Sequence, residues 1–153
     1  MIAYLDSSLV LRHVINGEKT IVQAIAAGPL VSSELLRIEC RRAMFRHRLE
    51  QRLGDAELEE LQNRLEAVFA ATRLFALTRK VKRRAEEAFP VHVKTLDALH
   101  LATCIVLQDR EPDETILLFS HDATMNRAAR LLGFSTPLSA PPGREDLRPI
   151  TGT

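Results

Sequence analysis

Residues 2–12, IAYLDSSLVLR, decide the fold: a short apolar run meets Asp6, then two serines, then a second apolar stretch. A run of four, too short for a helix, reads as a buried strand, and Asp6 behind it is a preferred residue for starting a helix. The same order recurs at 116–126, ILLFSHDATMN, where Asp122 stands before the next helical pattern. Further strand signals lie at about 29–32 (PLVS) and 74–77 (LFAL), with a weak one at 134–136 before Pro137. Helical patterns fall between them, near 7–14, 19–27, 33–52, 55–72, 79–88, 96–108 and 123–132. Short strands alternating with longer helices specify an α/β fold with a short, mainly parallel central sheet flanked by helices. Gly54 and Asp55, read as a helix stop and an N-cap, divide two long helices and predict an αα-hairpin projecting from the sheet.

The chain has 153 residues, 46% hydrophobic and 27% charged, which suits one globular domain and excludes wholesale disorder. That domain is expected over 1–137. From 138 to 153 the composition shifts to Pro141, Pro142, Gly143, Pro149 and Gly152, predicting an extended or mobile tail. A net charge of +1 encodes no global attraction to nucleic acid, so any anion binding must be local. Two cysteines, Cys40 and Cys104, do not make a disulfide framework and favour a reducing, cytoplasmic setting. No apolar run approaches the roughly 18 residues of a membrane span or forms a signal peptide, so no membrane partner is expected.

Four carboxylates stand in places suited to chemistry. Asp6 and Asp122 follow strands, and in a parallel sheet all strands end at one edge, where open α/β folds place their ligands. Each could equally be a helix cap. Glu39 has Leu35, Leu36 and Ala43 as its helical neighbours, an apolar stripe in which a carboxylate must be paired, with Arg42 for instance, or bound to a cation. Asp97 opens a helix that Thr95 could cap, where a first-turn acid also favours the helix dipole. Four such acids suit a hard cation, Mg²⁺ or Mn²⁺, able to activate a water against a phosphodiester. Their crowding should raise the pKa of at least one of them when no metal is bound.

YLDSSLVLR at 4–12, SSELLRIECRRA at 32–43, LDALHLATC at 96–104 and FSHDATMNRAARLLGF at 119–134 together resemble PIN-domain ribonucleases. Within these they resemble the VapC-like toxins of bacterial toxin–antitoxin pairs. The resemblance implies a PIN-like three-layer fold and a metal-dependent endoribonuclease, with Asp6, Glu39, Asp97 and Asp122 as metal-binding, catalytic acids. Ser7 and Ser120 would be their supporting hydroxyls. It also implies an RNA substrate, a cognate small antitoxin lying in the acidic groove, and a homodimer.

No histidine and cysteine spacing reads as a zinc site, and no glycine-rich phosphate loop appears. His100, three residues after Asp97, and His121, beside Asp122, are the two histidines placed to touch the site. Between Arg37 and Arg52 six arginines face two glutamates. Arg37, Arg41, Arg48 and Arg52 share a stripe roughly opposite Glu39 and are expected to face solvent or a partner, whereas Arg42 and Arg46 lie nearer its side and are candidates for RNA phosphate. A second cluster, Arg79, Lys80, Lys82, Arg83 and Arg84, reads equally as a solvated helix start. The rival functions are a phosphoacceptor or nucleotide-responsive signalling domain, and a catalytically silent RNA-binding module on the same fold.

Overall fold

A computed structural model describes residues 1–139. In chain order its elements are β1 (Ile2–Leu5), α1 (Ser7–Asn16), α2 (Ile21–Ala27), β2 (Leu30–Ser33), α3 (Leu35–Gln51), α4 (Asp55–Ala71), β3 (Thr72–Phe75), α5 (Arg79–Glu86), α6 (Thr95–Arg110), β4 (Ile116–Phe119) and α7 (Ala123–Leu131). The four strands form one sheet in the order β3-β2-β1-β4, and every pairing is parallel.

Because side chains alternate along a strand, β1 feeds two cores. Ala3 and Leu5 join Phe119 with residues of α1 to α4, among them Leu9, Leu36, Met44 and Leu65. Tyr4 points to the other face and joins Val31 and Leu118 with residues of α6 and α7, among them Leu101, Cys104, Met125 and Ala128. The sheet is thus covered on both sides, giving three layers, as parallel sheets require. Gly17 ends α1 with φ 69°, a left-handed conformation that favours glycine. Gly28 is needed for a different reason, since a Cβ there would stand 2.4 Å from the Met1 carbonyl oxygen.

Three details differ from expectation. β3 begins at Thr72 rather than near 74, because α4 runs straight into it and the Thr72 hydroxyl donates to the Val68 carbonyl at 2.7 Å, closing the helix. The weak signal at 134–136 becomes an isolated parallel bridge between Leu117 and Ser135 rather than a strand. The αα-hairpin is formed by α3 and α4, but Arg52, in a left-handed conformation, ends α3, and Gly54 occupies the N-cap of α4. Leu36, Cys40 and Met44 of α3 are buried, whereas Leu49 near the hairpin tip is 79% exposed. Of the tail expected over 138–153, residues 140–153 lie outside the described residues.

Candidate metal centre

The chain runs outward from β1 through β2 to β3, then returns to place β4 on the other side of β1. The sheet order therefore switches between β1 and β4, and the crevice at the carboxyl ends of these strands is where such folds bind ligands. Leu5 pairs with Phe119 in the register, so Asp6 and Ser120 are neighbours one residue further on.

Asp6 is buried, and one of its oxygens is saturated. Its Oδ2 accepts from the Ser8 hydroxyl at 2.6 Å, from the Ser120 hydroxyl at 2.8 Å and more weakly from the Ser8 backbone N–H at 3.4 Å. The Ser8 hydroxyl accepts in turn from the His121 N–H at 3.0 Å, and the Ser120 hydroxyl from the Asp122 N–H at 3.0 Å. Asn126 completes the brace by donating its amide to the Ser120 carbonyl at 2.9 Å. Among the described residues nothing donates to Oδ1 of Asp6, which leaves that oxygen to a ligand.

Glu39, half-buried on α3, meets His100 on α6 with Oε1 2.8 Å from Nε2. Burial pushes the Glu39 carboxyl up, but the hydrogen bond and charge of His100, with Ser7 beside it, outweigh this and hold it below its ordinary value. The same contact acts on His100: burial depresses its pKa, yet Glu39, Asp6 and Asp97 raise it overall. Donor atoms of Asp6, Glu39 and His100 all lie within 4.8 Å of one another.

Asp97, in the first turn of α6, stands outside that tight group but within reach of its charge. Burial, then the negative charges of Asp6, Asp122 and Glu39, push its carboxyl up to about 6, with His100 opposing. The expected crowding is thus present, and it settles on Asp97. Asp122 is exposed and caps α7, its Oδ1 accepting from the Met125 N–H at 2.7 Å. A carboxylate held above its ordinary pKa by burial and by like charges marks an uncompensated negative site, which a divalent cation relieves. Oxygen-rich donors with at least one unshared oxygen fit Mg²⁺ or Mn²⁺ by donor chemistry.

These contacts place the remaining residues singled out in the sequence. Ser120 supports Asp6 and Ser7 lies against Glu39, while Ser8 is an additional hydroxyl that clamps Asp6. An N-cap carboxylate reaches the second helical residue, so the Asp6-Ser7-Ser8 order already pointed to Ser8. Glu39 pairs with His100 rather than Arg42. Thr95 is the first residue of α6 and not its cap, a place held by Lys94. His121 turns away from the acids toward the Thr20 hydroxyl, 3.2 Å from its Nε2. The arginine stripe opposite Glu39 faces outward, with Arg37 and Arg52 exposed, and also meets α4: Arg37 lies over the Phe69 ring, Arg41 pairs with Glu66, and Arg48 pairs with Asp55 at 2.7 Å. Of the second basic cluster, Lys80 pairs with Asp109 and Arg84 lies over Phe89. Arg42 and Arg46 do line a cavity of about 390 Å³ beside the acids, shared with Ser7, Glu39, Ile38 and Leu96.

A family model described as PIN domain matches residues 3–131. No curated protein matches the chain.

Proposed function

Because the chain belongs to the PIN domain family, we propose that it is a metal-dependent endoribonuclease and the toxin of a toxin–antitoxin pair. What supports this reading is that Asp6 and Glu39 lie together at the carboxyl edge of the sheet, and that burial and the charges of Asp6, Asp122 and Glu39 push Asp97 up to about 6. PIN domains are in general metal-dependent nucleases, so hydrolysis of a phosphodiester follows from the family. The choice of RNA, of Mg²⁺ or Mn²⁺, and of these four residues as the ligands is our own.

A divalent cation bound there would supply Lewis acidity, lowering the pKa of a water and offsetting charge on the phosphate. Ser8 and Ser120 fix the Asp6 carboxylate so that one oxygen stays available, and Asn126 fixes the loop that carries Ser120. Arg42 and Arg46, on the wall of the adjoining cavity, would hold RNA phosphates next to the acids. The total charge being nearly neutral, such local cations carry the attraction.

Purified chain is expected to cleave total cellular RNA with Mg²⁺ or Mn²⁺, to lose all cleavage in EDTA, and to regain it when metal is restored. Cleavage undiminished by exhaustive chelation would overturn the mechanism. RNA retained without metal-dependent cleavage would instead favour the silent binding module.

The toxin assignment brings a homodimer, a cognate small antitoxin and a cytoplasmic setting. Its support is the cavity beside the acids, where apolar Ile38 and Leu96 meet Arg42, Arg46 and Glu39, a surface suited to a short peptide with apolar and charged anchors. Two buried thiols and no membrane-length apolar helix among the described residues agree with the setting. Expression alone should arrest bacterial growth, and co-expression of the small protein encoded beside it should release the arrest. Harmless expression at confirmed protein levels would defeat the toxin role while leaving nuclease activity open to the cleavage assay.

A further inference from the structure

We infer that His100 is a positioning residue for Glu39, locked from behind by Tyr4, and not itself a metal ligand; this rests on the metal reading of the site. Proximity alone would make His100 the third member of a metal group with Asp6 and Glu39. Its hydrogen bonds give it other work. Nε2 lies 2.8 Å from Glu39 Oε1, and Nδ1 lies 2.8 Å from the Tyr4 hydroxyl, so both ring nitrogens are committed. An ionised carboxylate can only accept, so the proton between His100 and Glu39 sits on Nε2. That holds whether the Tyr4 hydroxyl donates to Nδ1 or receives a proton from it.

Both rings are completely buried and meet edge to face at 84° with centroids 5.9 Å apart. The Tyr4 oxygen also accepts from the Ser33 N–H at 3.1 Å, which ties it to the end of β2, two residues before α3. The connections therefore close a circuit: β2 to Tyr4 on β1, Tyr4 to His100 on α6, and His100 to Glu39 on α3. Glu39 is held through Oε1, with Ser7 also beside the carboxylate, so its direction toward the site is fixed. Metal ligands are commonly oriented in this way by an outer hydrogen-bonding partner.

The experiment measures Mn²⁺ binding to the full chain by calorimetry without RNA, for wild type, His100→Leu, His100→Gln and Tyr4→Phe. His100→Leu removes the N–H and should weaken binding by about 10–100-fold. His100→Gln returns an N–H near the position of Nε2 and should restore most of it, and Tyr4→Phe should fall between. Electron spin-echo modulation of Mn²⁺ bound to the wild type needs no variant to fold and should show no directly coordinated nitrogen. A directly coordinated nitrogen overturns the inference, as does His100→Leu binding Mn²⁺ like wild type or His100→Gln failing as badly as Leu. Wild-type protein that binds no Mn²⁺ overturns the metal reading as well.

Discussion

Asp6→Asn should reduce metal-dependent RNA cleavage by orders of magnitude while leaving the fold intact. Asn is as good an N-cap as Asp, so the start of α1 keeps its partner. Its single carbonyl oxygen can take the place of Oδ2 and still accept from the hydroxyls of Ser8 and Ser120. What is lost is the charge and the second oxygen, which becomes an N–H group unable to ligate a cation. Initial rates of RNA cleavage and urea unfolding, measured on the same preparation, separate the two effects. Ser120→Ala, which removes only a supporting hydroxyl, should cost far less, about 10–100-fold. If Asp6→Asn keeps near-normal cleavage, Asp6 is a helix cap and nothing more.

Asp97→Asn should abolish cleavage as severely, yet raise the stability of the metal-free protein near pH 7. The carboxyl titrates at about 6 in the folded chain against an ordinary 3.8. Between those values the folded state binds more protons than the unfolded one, so stability falls as pH rises through the window. Below about 4 the carboxyl is protonated in both states and contributes no such loss, whereas above 6 the loss is complete. Asn carries no charge, so the advantage of the variant should grow from pH 4 to pH 7. Loss of a first-turn acid from the helix dipole opposes this by about 0.3–1 kcal/mol, the smaller effect. Millimolar Mg²⁺ or Mn²⁺ should raise the melting temperature of wild type by binding only the folded chain, and should raise that of Asp97→Asn much less. Thermal melts across pH, with EDTA and with metal, read both trends. A variant clearly less stable than wild type in EDTA and with an unchanged metal shift would make Asp97 a structural helix-start residue.

Asp6 and Asp122 each invited two readings from the chain, a cap or part of a site. The structure gives Asp6 both positions at once, since a carboxylate has two oxygens: one satisfies Ser8 and Ser120 while the other is left over. Asp122 does cap α7, and its charge still contributes to the field on Asp97. The acids were legible because strand-end placement and an apolar helical stripe are local patterns. Ser8 was legible in principle too, being the second residue of a helix whose cap is an acid. The arginine stripe was legible only in part, for a nearby reason. Periodicity placed Arg37, Arg41 and Arg48 away from Glu39 correctly, but whether that face meets water or α4 depends on how the hairpin closes.

Period-two and period-3.6 patterns, with Asp and Gly punctuation, were enough by themselves to determine an α/β domain with a mainly parallel sheet and with Asp6 and Asp122 at one edge of it. These signals act between residues a few positions apart, so they are written in the order of the chain. Only the tertiary structure decided the sheet order β3-β2-β1-β4, the partner of Glu39 and the buried Tyr4 behind it. His100 meets Glu39 across 61 positions and Tyr4 across 96. Contacts at such separations leave no periodic trace, because they are set by which helix packs on which face of the sheet once both cores close. A buried tyrosine hydroxyl and a buried histidine each need a partner, and burial itself is known only after the chain has folded.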